Sequence, residues 1–179
     1  MNAGSGTNQS NHAYKLGPRH HGVLERGCKT ASGCHISWPA HIGAFSLVMG
    51  HCPPGTDSHE WPFSYLVEQG NAYYVLPGIT LRGVGTLRDI GKWPARDRRS
   101  PRVPQTDTVS FDAFSPYTME RVWQAIHTLE GLTGRFGEDA KEITWNGLRL
   151  KEKSVKQGIE WYRLRPLLGR TTDPAIRDA

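Results

Sequence analysis

Turn-forming residues recur at short intervals through the middle of the chain, and they limit how long any regular element there can be. The apolar segments 43–49, 63–69 and 72–76 are each followed directly by a glycine or a proline. Because an ordinary helix cannot contain so many turn residues, this spacing predicts short strands joined by turns. Gly70 and Asn71 separate the second segment from the third, which is typical of a hairpin.

A second hairpin is predicted near the C-terminal end. Residues 142–153 contain Asn146 and Gly147 between two alternating segments, and both residues tolerate the positive φ angles of a tight hairpin turn. Residues 158–168, rich in aromatic and aliphatic side chains, are interpreted as a third strand. The buried face of the hairpin is expected to consist of Ile143, Trp145, Leu148 and Leu150.

One amphipathic helix is predicted between these strand regions, over residues 116–130. Ser115 is suited to capping its N-terminus, Pro116 to its first position, and Gly131 to its end. Apolar residues recur at the helical period, so this helix is expected to pack on the core. The apolar stripe consists of Met119, Val122, Trp123, Ile126 and Leu129.

These elements predict an α+β fold, with a predominantly antiparallel sheet or partial barrel and the helix at about 116–130 as its one main helix. The expected organisation is a flexible polar arm over 1–22, a single globular domain over 23–168 and a tail over 169–179. The pattern suggests no internal repeat.

Cysteine and histidine are concentrated in the first third of the chain, which holds all 3 cysteines and seven of the 8 histidines. Thiolate and imidazole are preferred zinc ligands, although five residues between the first two cysteines exceed the spacing of a compact zinc knuckle. The alternative is that the thiols are small core residues and the histidines lie on the surface. The candidate zinc ligands are Cys28, Cys34, Cys52 and one of His51 or His59.

A catalytic thiol is a further alternative. Cys34 lies in a turn-like segment, and a cysteine nucleophile needs a nearby base to hold it as thiolate. His51, His59 or His127 is a candidate base, with Asp57 or Glu60 to orient it. With the zinc hypothesis, this pattern predicts a small metal- or cysteine-dependent hydrolase.

The net charge of +5 has a local origin in the segment 88–102, which we call the basic loop. Closely spaced cations neutralise phosphates, and an aromatic ring among them can stack on a base, so the loop predicts nucleic-acid binding, to RNA or DNA. Basic residues 149–156 of the second hairpin region are expected to extend this field. The candidate nucleic-acid-binding residues are Arg88, Lys92, Trp93, Arg96, Arg98, Arg99 and Arg102.

Three functions are compatible with these patterns. The favoured one is a non-catalytic, nucleic-acid-associated subunit of a larger assembly, with protein partners. The alternatives are the hydrolase above and a structural subunit of a phage particle or secretion machine. No segment approaches the length of a membrane span and the N-terminus lacks a secretory pattern, so a cytoplasmic protein without a membrane partner is expected.

Overall fold

The computed structural model describes residues 1–10, 21–82, 88–89, 91–92, 95–98, 112–137 and 140–170. The helices are α1 (Ile79–Arg82), α2 (Pro116–Thr133) and α3 (Glu152–Arg170). The strands are β1 (Asn8–Ser10), β2 (Gly22–Leu24), β3 (Lys29–Thr30), β4 (His35–Ser37), β5 (Ala40–Ile42), β6 (Leu47–Met49), β7 (His51–Cys52), β8 (Thr56–Asp57), β9 (Tyr65–Gln69), β10 (Ala72–Leu76), β11 (Glu142–Trp145) and β12 (Leu148–Lys151).

The first nine strands form a three-sided parallel β-helix. The chain visits three faces in turn and makes this circuit three times, so that β1-β4-β7 form face B, β2-β5-β8 form face C and β3-β6-β9 form face A. Paired strands belong to successive coils, since His35 pairs with His51 in face B and Lys29 with Leu47 in face A. The coils therefore stack as a solenoid in which each contacts only its neighbours.

A six-residue repeat fills the interior of this β-helix. From residue 28 to residue 64, every sixth residue is small and buried, and at five of these seven repeats the residue two positions later is also buried and usually aliphatic. Such spacing is a known signature of parallel β-helices, so the sequence interpretation that found no internal repeat was wrong. The small residues are Cys28, Cys34, Ala40, Ser46, Cys52, Ser58 and Ser64, and the second set includes Thr30, Ile36, Ile42, Val48 and Leu66.

One corner of the β-helix is built from residues in the left-handed conformation, one in each successive coil. Gly27, Phe45 and Phe63 have φ angles of 71°, 57° and 58°. The rings of Phe45 and Phe63 stack with centroids 5.0 Å apart, and Phe114 continues the stack at 5.7 Å from Phe63. A Cβ atom on Gly27 would lie 2.2 Å from the Phe45 ring, so the first coil needs a glycine where the other two carry phenylalanine.

Face A continues beyond the β-helix as a mixed sheet of order β11-β12-β10-β9-β6-β3. The hairpin β9–β10 forms around Gly70 and Asn71, and β11–β12 forms around Asn146 and Gly147, as the turn residues predict. Asn146 and Gly147 both have positive φ, at 46° and 76°. Helix α3 packs on α1 and α2 and against this sheet, and its Tyr162 is fully buried.

The predicted fold class was wrong. The sheets are mostly parallel or mixed rather than predominantly antiparallel, and the structure has more than one main helix. The hairpin turns were interpreted correctly, but the glycines and prolines of residues 33–62 turn the chain around the corners of a β-helix. Residues 158–168, predicted as a strand, belong to α3, whose buried residues Val155, Gly158 and Tyr162 follow a helical spacing.

Helix α2 agrees with its prediction at the start but not at the end. The Ser115 side chain accepts a hydrogen bond from the backbone N–H of Thr118, which confirms the N-cap. The helix passes through Gly131 to Thr133. Trp123, expected on the buried stripe, is 62% exposed because it lies beyond the edge of the buried face that contains Val122 and Ile126.

The N-terminal residues 1–10 are attached to the first coil. The backbone of Asn2 bonds with Cys28 and Thr30, and β1 pairs in parallel with β4. Within the described residues, none of the helices has the length and hydrophobicity needed to cross a membrane.

Two glycine substitutions, one at the corner of the β-helix and one in α2, are expected to change stability in opposite directions. Gly27→Ala should lower the free energy of unfolding by at least about 2 kcal/mol, because it combines a left-handed backbone with a clash against Phe45. Gly131→Ala, in α2 with open space around its Cα, should raise it by about 0.5–1 kcal/mol. Urea unfolding followed by circular dichroism measures both, and equal effects would contradict the assignment of Gly27 to a packed corner.

Candidate metal centre

Face C presents two polar side chains side by side on its outer surface. In β5, Ala40 and Ile42 are buried and His41 between them is partly exposed; in β8, Thr56 is buried and Asp57 is partly exposed. His41 and Asp57 are direct partners in the parallel ladder, where neighbouring strands lie about 4.8 Å apart. The alternation of the strands therefore brings the two side chains together outside the core.

His59 completes a cluster with these two residues. Its Nδ1 lies 2.6 Å from Asp57 Oδ1, and its backbone N–H donates to the same oxygen at 3.1 Å. Its ring stacks on that of His41, with centroids 4.8 Å apart and planes 18° apart. The Ser58 backbone N–H bonds the His41 carbonyl, which holds the segment that carries His59 against β5.

The cluster has the donor set of a transition-metal site. One ligand atom from each of His41, Asp57 and His59 lies within 4.8 Å of the other two, and no other such group occurs in the described part of the chain. Their side chains are 35%, 38% and 28% exposed. Two imidazoles and a carboxylate with a solvent-facing side match zinc sites that keep an open coordination position.

A buried carboxylate supports the cluster from the adjacent coil. The Glu25 side chain is only 10% exposed, and its Oε1 lies 3.1 Å from His41 Nε2. The Tyr117 hydroxyl at the start of α2 donates to the same oxygen at 3.1 Å. Arg121 lies over the Tyr117 ring at 5.3 Å. Helix α2 is thereby connected to the cluster through Glu25.

The zinc ligands expected from the sequence are not brought together. Of that set only His59 belongs to the described cluster. Cys34 and Cys52 point into the β-helix and are fully buried, whereas the neighbouring His35 and His51 point outwards from face B. Since adjacent strand residues face opposite sides, Cys-His neighbours cannot converge on one ion.

The three thiols are surrounded by core. The Cys28 thiol donates to the Gly43 carbonyl at 3.2 Å. Burial raises the pKa of Cys28 to about 12 and that of Cys34 to about 11, and it also raises the pKa of Cys52. Because the thiolate is the nucleophile, this environment disfavours a catalytic role for Cys34.

Two of the three cluster residues were missed as ligands. Asp57 was considered only as an orienting group for a histidine, and the 2.6 Å contact shows that it is placed for this role on His59. On face C, His41 pairs with Asp57, whereas on face A the paired residues Leu47 and Tyr65 are further apart in sequence. Because the coil length is not constant, finding His41 requires the strand pairing itself.

The basic loop is only partly described. Arg88, Lys92, Arg96 and Arg98 are exposed, and the described backbone at 88–89, 91–92 and 95–96 is helical. Arg88 Nε lies 3.3 Å from Asp89, which also pairs with Lys29. The other candidates, Trp93, Arg99 and Arg102, lie outside the described residues.

The expected extension of this charge by residues 149–156 is partly compensated. Arg149 and Lys151 both approach Glu142, at 3.7 Å and 3.9 Å, and Lys156 bonds Glu152 at 2.6 Å. Such exposed pairs add little stability, but they reduce the local positive field.

The buried thiols are expected to react slowly. With Cys34 at a pKa of about 11 against 9.0 for an unperturbed thiol, its thiolate fraction at pH 8 is lower by about 100-fold. Labelling with 5,5′-dithiobis(2-nitrobenzoate) should therefore be at least about 100-fold slower in the native protein than in guanidinium chloride. A fast native reaction that Cys34→Ala removes, while Cys28→Ala does not, would instead support a nucleophilic cysteine.

Comparison with known proteins gives one match. The family model that matches is described as a domain of unknown function, DUF4954, and it covers residues 1–133. No curated protein and no solved structure matches the chain. The matched span includes the whole β-helix, α2 and every residue of the candidate metal centre. Because the match covers well over half of the 179 residues, the chain belongs to the DUF4954 family.

Proposed function

We propose that this protein binds a divalent transition-metal ion, most naturally zinc, through His41, Asp57 and His59, and that it is a metal-dependent hydrolase. The observation that carries the proposal is the convergence of three ligand atoms within 4.8 Å on one outer face. His41 and Asp57 come from paired strands of neighbouring coils, and His59 follows in the turn after β8, which the backbone bond from Ser58 to the His41 carbonyl holds against β5.

The open side of the cluster supports a catalytic rather than a purely structural metal. Structural zinc sites use four protein ligands and exclude water, whereas catalytic sites use three and leave one position for water or substrate. A zinc ion held by these three residues would act as a Lewis acid and would lower the pKa of water to about 7, which would supply a nucleophile for esters or phosphate esters. His41 already contacts a carboxylate outside the ligand set, Glu25, a pairing typical of metal-binding histidines.

The proposed ligands can be separated from the other zinc candidates by substitution. His41→Ala and His59→Ala should each weaken zinc binding by more than about 100-fold, because each removes a direct ligand where loss of a supporting partner already costs about 10–100-fold. His127→Ala, an exposed histidine on α2, serves as the matched control and should bind like the wild type. Competition with a chromophoric chelator measures the affinities.

Two further variants test the zinc set expected from the sequence. Cys34→Ala and His51→Ala should leave zinc affinity unchanged, since neither residue belongs to the cluster. Zinc binding that these variants abolish and His41→Ala preserves would overturn the proposed site in favour of the cysteine-containing one.

Hydrolytic activity is expected to depend on the same residues. The zinc-loaded protein should hydrolyse 4-nitrophenyl acetate or bis(4-nitrophenyl) phosphate, and chelation should remove the activity. His59→Ala should lower kcat/KM by at least about tenfold, while His127→Ala should not change it. The absorbance of the released 4-nitrophenolate measures the rate. Activity that is indifferent to chelation would contradict the metal-dependent mechanism.

The other roles expected from the sequence stay predictions. Nucleic-acid association within a larger assembly now depends on Arg88, Lys92, Arg96 and Arg98 among the described basic residues, all of which are exposed. A structural-subunit role depends on partners for which the fold offers no specific observation. The three free cysteines support a reducing, cytoplasmic location for either role or for the hydrolase.

A further inference from the structure

The Glu25 side chain is mostly buried, although it lies next to a cluster on the protein surface. Its Oε2 is buried without a hydrogen-bond partner among the described residues, although the side chain is 10% exposed. The only other buried side-chain atoms in this condition, within the described chain, are the indole nitrogens of Trp61 and Trp145. Those are neutral donors, whereas a buried carboxylate oxygen carries charge and costs more to leave unpaired.

The other oxygen of Glu25 determines how His41 presents its ring. His41 Nε2 lies 3.1 Å from Oε1, and the Tyr117 hydroxyl donates to the same oxygen. When Nε2 carries the proton in this contact, Nδ1 keeps its lone pair and can act as a metal ligand. The carboxylate therefore selects the ring orientation and the tautomer that a metal requires.

We propose that Glu25 is the positioning residue of the metal centre: it holds His41 with Nδ1 free, and a divalent cation bound at His41, Asp57 and His59 compensates its buried negative charge. This inference rests on the proposed function. Tyr117 places the carboxylate by joining it to the start of α2. Glu25 acts through His41 and is not itself a ligand, because it does not belong to the group of converging ligand atoms.

Removing the Glu25 carboxylate is expected to lower the affinity for zinc without lowering the stability of the metal-free protein. Glu25→Gln should raise the zinc Kd by about 10–100-fold, the usual effect of removing a partner of a metal-binding histidine. The melting temperature of the metal-free variant should equal or exceed that of the metal-free wild type, because the substitution removes a carboxylate whose Oε2 is buried without a hydrogen-bond partner. The rise in melting temperature on adding zinc should shrink accordingly.

A second histidine–carboxylate pair supplies the matched control. On face B, His51 Nδ1 lies 3.2 Å from Glu68 Oε2, and this pair is outside the cluster. Glu68→Gln should leave the zinc Kd unchanged. Tyr117→Phe removes one donor to Glu25 while retaining the ring, and it should raise the Kd by a smaller factor than Glu25→Gln.

Cobalt(II) substitution separates the two ways in which Glu25 could act. As a positioning residue, its removal should weaken cobalt binding but keep the visible absorption bands of the bound ion. Bands that shift in Glu25→Gln would show Glu25 to be a direct ligand, which overturns the inference.

The remaining outcomes distinguish this inference from the proposed function. A wild-type protein that binds no zinc would overturn both. Zinc binding that is lost in His41→Ala and unchanged in Glu25→Gln would overturn only the role of Glu25. A lower melting temperature in metal-free Glu25→Gln, without a change in Kd, would show that Glu25 has a structural role alone.

Discussion

The narrow interior of the β-helix is the constraint on which the rest of the structure depends. The three faces enclose little space, so one inward position per face has room only for a small side chain. The sequence has a small buried residue at every sixth position from 28 to 64. Three of those positions are cysteines. A thiol behaves there as a small apolar group, so the packing of the interior accounts for all three cysteines without a metal.

The same packing determines which residues are available for chemistry. Once inward positions are committed to small and aliphatic side chains, the residues between them must face outwards, and these include His35, His41, His51 and Asp57. Parallel pairing then stacks outward residues of successive coils at a fixed separation. The cysteines and histidines of the first third therefore fall into two groups: the cysteines point into the β-helix, and the histidines of these strands point outwards.

Local features of the fold could be predicted from the sequence, and long-range pairing could not. Gly70-Asn71 and Asn146-Gly147 form the hairpins they indicate, because a two-residue turn determines the pairing of the strands beside it. The parallel strands of the β-helix are mostly very short and pair with partners a whole coil away, so no local alternation reveals them. For the same reason the pairing that brings His41 beside Asp57 could not be identified from the sequence.

The position of Glu25 shows how function and stability oppose each other at this face. A carboxylate with one unpaired buried oxygen has a desolvation cost in the metal-free fold. Proteins tolerate such a residue mainly where it serves a site. The stacked imidazoles of His41 and His59 lie on the same face, and each is already held by a hydrogen bond to a carboxylate. What sets this face apart from ordinary polar surface is the unpaired Glu25 oxygen beside three converging ligand atoms, and this is the physical reason for proposing a metal centre here.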